Sequence, residues 1–344
     1  MSFKRLDQED IVISADSITA PAWSDNQTNL TTFFTSSAQA SRTSGDYYYN
    51  VYKDNFAQTS SADIQFSLAY GEVNGSGSLP FNPAVAGYAP SQVVYKQFRN
   101  LINGTEETDL SFGGTTVGSI YAISVERARF KEKLLPGSLL LTLSSSAGEM
   151  KVTDNSNYVS TITFGDAGRE YELVSASSAG VRVTTNSGLD GVNGFNIASG
   201  SYGKFLPDIG VILLNGDALD LAPVSGGLSM GTSTSVGSNS ANIGKIYNLI
   251  DNGGSFTLRS EETVSSNYIF VRARNSEFNY STNPSNITGS GELRHNVMID
   301  SPQGYITSVG LYNDNNDLLG IAKLSRPLLK DFTKEALIRV KLDY

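Results

Sequence analysis

The chain has no cysteine among its 344 residues, so disulfides, thiolate metal sites and cysteine nucleophiles are all excluded. It has a single histidine, His295. A Ser-His-Asp triad would have to run through that residue, and a metal site built on two or three histidines is impossible. Charge is scarce as well: 17% of residues are charged, below the ordinary share of about a quarter. The 34 acidic and 25 basic side chains leave a net charge of −9, which argues against generic binding to a phosphate backbone, and no nucleic-acid partner is expected. No apolar run approaches the length that crosses a bilayer, so no membrane segment is expected. The best runs, Leu134–Leu135 and Leu139–Leu143, are split by Pro136-Gly137. Residues 1–10 are charged and lack the hydrophobic stretch of a secretory signal, so a soluble cytosolic product is expected. Triplets such as Asn103-Gly104-Thr105 then count as chance products of a chain rich in Asn, Ser and Thr.

What the chain does hold is 16 Phe, 17 Tyr, 33 Gly and a recurrent period-two alternation. Ile338, Val340 and Leu342 alternate with Arg339, Lys341 and Asp343 up to Tyr344, the pattern of a half-buried strand. Further strands are expected over 63–70, 121–130, 138–143, 158–164, 210–214, 269–274 and 305–312. Pro136-Gly137, Asn215-Gly216, Asp251 to Gly254 and Asn313 to Asp317 punctuate them as turns. Two segments have helical spacing: Ser91 to Ile102, with Val94, Phe98, Leu101 and Ile102 on one face, and about Ser240 to Ile250, with Ile243, Ile246, Tyr247 and Ile250 in register. A short helix or turn is expected around 331–337. The fold class that follows is mainly β: antiparallel sheets in a sandwich-like arrangement, two or three short helices and a Gly/Ser-rich β insertion. Residues 221–244 carry no charge and are crowded with Gly, Ser, Thr and Asn. The expected organisation is a β core domain from 1–145 and 255–344, with 146–254 as a looser β-rich insertion domain.

Motifs for chemistry are weak. Gly203-Lys204 and Gly244-Lys245 lack the hydroxyl that a phosphate loop places next on magnesium, and Gly75-Ser76-Gly77-Ser78 lies ahead of Pro80 rather than before a helix. Asn313-Asp314-Asn315-Asn316-Asp317 supplies hard oxygens but lacks the glycine and distal glutamate of an EF-hand, so a hairpin turn is the better reading. His295 sits in a polar stretch and is expected at the surface. The doublets Glu106-Glu107 and Glu261-Glu262 could serve glycoside hydrolysis only as a facing pair, and neighbours on a strand point to opposite faces. The tyrosines around Tyr47 to Tyr52 could stack sugars or pack into a core or interface. No catalytic, cofactor or metal residue is assigned.

Ser124 to Phe130 and Phe270 to Asn275 share a pattern, each reading as a strand with two arginines two residues apart on one face. Those arginines, Arg272 and Arg274 among them, either pair with carboxylates of their own chain or present a basic face to an acidic neighbour. The last 24 residues, 321–344, hold six basic side chains against three acidic ones on an otherwise acidic chain. Such a tail suits subunit docking, and Lys330, Phe332, Lys334, Arg339 and Lys341 are its candidate interface residues.

Ser301 to Asp314, with Val309-Gly310-Leu311-Tyr312-Asn313-Asp314, and Leu318 to Pro327, with Leu318-Leu319-Gly320-Ile321-Ala322, resemble a hairpin sequence common in virion proteins of tailed bacteriophages. Residues 330–344, Arg274 to Ser281 with Asn283-Pro284-Ser285, and Phe130 to Ser138 fit the same resemblance, which covers about a third of the chain. It adds Phe278 and Tyr280 to the interface candidates. The resemblance is to structural proteins of contractile-tailed phages of the T4-like type, baseplate wedge components among them. It implies a non-enzymatic subunit of the virion, assembled in the host cytoplasm through other baseplate or tail proteins and through self-association, with no cofactor. Two other functions compete: a receptor- or glycan-binding tail module, and a glycan-degrading enzyme.

Overall fold

The structure, a computed structural model, describes residues 4–35, 48–55, 58, 62–75, 91–182, 202–231, 239–281 and 283–343. Tyr47, Ser76 to Ser78, the middle of the 221–244 stretch and Tyr344 lie outside the described residues. In chain order the first strands are β1 (Ile11–Pro21), β2 (Asn29–Leu30), β3 (Phe34–Thr35), β4 (Tyr49–Tyr52), β5 (Ile64–Glu72), β6 (Ser111–Phe112) and β7 (Thr115–Thr116). Then come β8 (Ser119–Val125), β9 (Lys133–Leu134), β10 (Leu140–Ser145), β11 (Gly148–Asp154), β12 (Thr163–Gly165), β13 (Gly168–Ser175), β14 (Gly203–Leu206) and β15 (Val211–Asn215). The last are β16 (Ser255–Thr257), β17 (Arg259–Ala273), β18 (Gln303–Tyr312), β19 (Leu318–Asp331) and β20 (Ala336–Asp343). The helices are α1 (Ser91–Asn103), α2 (Gly216–Asp220), α3 (Asn239–Asp251) and α4 (Val297–Asp300). The fold is mainly β with antiparallel pairing, and the chain divides into two compact units, Ile18–Glu262 and Met1–Ser17 with Thr263–Tyr344.

In the larger unit a single sheet runs in the order β2-β16-β10-β11-β13-β14-β15-β8-β5-β4-β3, with β12 paired to β13. Strands from 148–215 are therefore hydrogen-bonded into the same sheet as β5 and β8. Period-two alternation decides what each face buries. Tyr121, Ile123, Ile212 and Leu214 join one apolar cluster, whereas Ile120, Ala122, Val211 and Leu213 join another. Helix α3 brings Ile243, Ile246 and Ile250 to the first cluster, and α1 brings Tyr95 to the second, where its hydroxyl donates to the Val117 carbonyl at 2.6 Å. Each such fully buried side chain contributes about 1.5–3 kcal/mol. Trp23 packs against Phe256 at 4.8 Å between ring centroids and donates its indole N–H to the Phe256 carbonyl. At Gly203, φ is +140°, and a Cβ there would run into the carbonyl oxygen of Leu213 on the paired strand. Only glycine fits that position.

The smaller unit holds the two-stranded hairpin β18–β19 and most of the sheet β1-β17-β20, in which the first residues of β17, on the larger unit's side of the division, pair with β9. Ile269, Leu311 and Val340 form its core, with Val271, Val309, Ala322 and Ile338 packed around them. The hairpin closes at Asn313 to Asp317, where the Asn313 side-chain oxygen accepts from the N–H groups of Asn315 and Asp317, and Asn316 adopts a left-handed φ of 64°. Asparagine tolerates that conformation, and its side chain caps the turn.

Two local expectations change, and a third is settled between its alternatives. The strand expected over 158–164 is a 3₁₀ turn, Ser156–Tyr158, followed by the short β12. Of the helix or turn expected around 331–337, the structure forms the turn, over 332–335 between β19 and β20, where the Asp331 carboxylate accepts from both the N–H and the hydroxyl of Thr333. Arg127 and Arg129 lie in a 3₁₀ turn after β8, not on a strand. The Arg127 guanidinium caps the Phe130 and Lys131 carbonyls and stacks over the Phe130 ring.

Candidate protein-interaction surface

Register builds one face of the smaller unit. Across β17 and β20, Tyr268 opposes Lys341, Phe270 opposes Arg339 and Arg272 opposes Leu337. Alternation places these six on the face opposite to Ile269, Val271, Ile338 and Val340, which are spent in the core. Arg272 reaches Glu335 at 2.8 Å, and this bond holds its guanidinium more basic than usual. Lys341 reaches Asp343 at 3.0 Å and Asp16 at 4.0 Å. Ser266 and Lys341 together hold the Asp343 carboxyl below its ordinary range. Arg339 and Lys341 both stand over the Tyr268 ring, at 5.6 and 5.7 Å from its centroid. Such cation–aromatic contacts pre-order a basic, partly apolar face.

The other candidates scatter. The backbone N–H of Arg274 donates to the Glu277 carboxylate, Phe278 is half-buried with a left-handed φ of 57°, and Tyr280 and Phe332 project into solvent. Lys334 pairs with Asp331 at 3.4 Å. Lys330 is fully buried, its ammonium donating to the Asn279 side chain, the Asn275 carbonyl and the Asp331 carbonyl.

The sequence reading missed a second face. On the hairpin, Val309, Leu311 and Ala322 turn to the core, so their neighbours Gly310, Tyr312, Leu319 and Ile321 turn away from it. Leu319 is 70% exposed and Ile321 60%. Tyr305 and Leu318 are exposed on the same hairpin, Val297 and Ile299 on α4, and Ile11, Val12 and Ile13 on β1. Most of the exposed large apolar side chains among the described residues fall in this unit, although it holds well under half of the chain. This concentration of exposed apolar side chains makes the unit the candidate interaction surface. The available signal was the run Leu318-Leu319-Gly320-Ile321-Ala322 at the start of β19, in which both alternating sets are apolar, the pattern of a strand covered on two faces.

The larger unit collects its titratable groups differently. Glu261 and Glu262 each have their own lysine, Lys133 at 3.4 Å and Lys131 at 2.7 Å, and do not face one another as a pair. Glu170 binds Lys204 at 2.6 Å, and Glu172, opposite Lys204 on the paired strand, keeps a buried carboxylate oxygen without a hydrogen-bond partner. Burial first, and then the neighbouring Glu170 against the relief from Lys204, push its pKa up to about 7. Nothing in the sequence marked this group, because its environment is assembled across β13 and β14. A cavity of about 260 Å³ lined by Lys151, Ser177, Tyr202 and Gly226 lies elsewhere in this unit. His295 is exposed. Among the described residues no helix is long and apolar enough to cross a membrane. No protein family, curated protein or solved structure matches the chain.

Proposed function

We propose that this chain is a non-enzymatic structural subunit of a tailed-phage virion, a baseplate or tail component assembled through protein–protein surfaces. The observation that carries the reading is the concentration of exposed apolar side chains on the smaller unit, above all Tyr305, Leu319 and Ile321 on the β18–β19 hairpin. A two-stranded hairpin is marginal in water, and this one packs Val309, Leu311 and Ala322 into the core while leaving Leu319 and Ile321 exposed. A monomer gains nothing from that arrangement, whereas a subunit covered by neighbours gains the burial of every such side chain. The same segments, 301–327 and 330–343, are those that resemble virion proteins of contractile-tailed phages.

Immunogold electron microscopy of purified particles, with an antibody raised against this chain, tests the reading. Label at the end of the tail distal to the head is expected. Label at the neck or capsid would overturn the baseplate and tail assignment while keeping a virion subunit. Absence of the chain from the particles, checked by mass spectrometry, would overturn the proposal.

A further inference from the structure

The strand order β1-β17-β20 leaves β1 and β20 at the two ends of the smaller unit's sheet. β1 is 11 residues long, and Ile11, Val12 and Ile13 at its start are exposed. Natural sheets blunt such an edge with lysine or proline; β1 has no lysine, and its one proline, Pro21, is its last residue. The run from Asp7 to Asp16 carries Asp7, Glu9, Asp10 and Asp16 and no cation. β20 has the opposite character, with Arg339 and Lys341 on the strand and Lys334 just ahead of it. The carboxylates nearby are engaged, Glu335 by Arg272 and Asp343 by Ser266 and Lys341, and Lys334 and Lys341 are themselves held by Asp331 and by Asp343 and Asp16, so Arg339, over the Tyr268 ring, is the cation that β20 offers outward.

We infer that β1 of one copy of this chain adds to the β20 edge of a second copy, continuing the sheet from molecule to molecule. Charge selects this pairing from the three that two edges allow. Joining β1 to β1 sets acid against acid, joining β20 to β20 sets base against base, and only β1 to β20 brings opposite charges together. Inside one copy the same attraction is visible across β17, where Lys341 lies 4.0 Å from Asp16. The contact is heterologous, because each copy offers one edge and receives at the other, so it builds a ring or an open chain and not a closed dimer. This deepens the structural-subunit reading, on which it rests, by naming a second copy as one neighbour.

Sedimentation velocity of the full chain over a concentration series, at low and high salt, reads the contact. The wild-type chain is expected to form species heavier than 36.8 kDa that recede as salt rises. Glu9→Lys with Ile13→Lys, at exposed positions, should weaken association at least about tenfold, and so should Arg339→Glu with Lys341→Glu. Mixing the two variants should restore association at one-to-one composition, since the less acidic β1 of the first then meets the acidic β20 of the second, and the unchanged β1 of the second meets the unchanged β20 of the first. Should either double variant lose its circular dichroism, the milder Glu9→Gln and Arg339→Gln replace it, with a smaller loss expected. A chain that stays monomeric at every concentration, variants that associate like the wild type, or a mixture that fails to associate would each sink the contact. A monomeric chain that still labels the tail would overturn this inference alone, and head-to-tail oligomers of a chain absent from particles would overturn the virion reading alone.

Discussion

The ammonium of Lys330 and the side-chain oxygen of Asn279 lie 2.7 Å apart in the interior of the smaller unit. The carbonyls of Asn275 and Asp331, at 3.2 and 2.9 Å, take the other two protons. All three donors of a buried lysine are thus met by neutral oxygens. Asn279 is fixed in turn by its own amide, which donates to the Asn275 carbonyl. The arrangement ties the end of β19 to the segment that follows β17.

Removing either partner should therefore destabilise the protein. Lys330→Met strands the Asn279 and Asp331 oxygens, and Asn279→Leu leaves a buried ammonium short of one acceptor. Losses of about 1–3 kcal/mol are expected, larger for Asn279→Leu because the group left unpaired is charged. Urea unfolding of the two variants beside the wild type measures this. An unchanged midpoint would mean that the Lys330 head is hydrated in solution.

Glu172 gives a pH dependence. Its pKa of about 7 lies above the ordinary value of 4.5. The folded chain therefore holds this proton more tightly than the unfolded chain does. Its contribution is fully present below about pH 4.5, is lost as pH rises to about 7, and changes no further beyond that, a swing of about 3 kcal/mol. Glu172→Gln should flatten this part of the profile and raise stability at pH 8 relative to the wild type. Thermal unfolding at pH 5, 6, 7 and 8 decides it: parallel profiles for the two proteins would show that Glu172 titrates normally.

How far the sequence carried the fold depends on where each residue finds its partners. β5, β15, β18 and β20 were legible because alternation is a local signal, and α1 and α3 because Val94, Ile243 and Ile246 recur at helical spacing. Asn313 announced its turn for the same reason, since it hydrogen-bonds residues two and four positions on. Lys330 could not be placed this way: two of its acceptors lie 51 and 55 residues earlier, and a lysine in a basic tail reads as solvated. Arg127 misled because alternation continues past Val125 while the backbone turns to let the guanidinium cap two carbonyls. On the candidate surface, sequence named the cationic face of Arg272, Arg339 and Lys341 but not the apolar one of Leu319 and Ile321. Near the tip of the hairpin both alternating sets are apolar, Leu311 and Ala322 on one and Leu319 and Ile321 on the other, and composition alone does not say which of them the core covers.

That asymmetry separates folding from association. Val309, Leu311 and Ala322 pack against the core, so trimming them removes burial that the monomer already has. Leu319 and Ile321, at 70% and 60% exposed, bury little in the single chain. Leu319→Ser with Ile321→Ser should shift stability by no more than about 0.5 kcal/mol per substitution. If neighbours cover this face, each residue there contributes the burial of a large aliphatic side chain on assembly, and losing two should reduce incorporation into particles by at least about tenfold. Urea unfolding and incorporation in a competition between wild-type and variant chains measure the two effects separately. Unaltered incorporation with unaltered stability would remove the outer hairpin face from the interface. A large loss of stability would show instead that these side chains are already buried in the free protein.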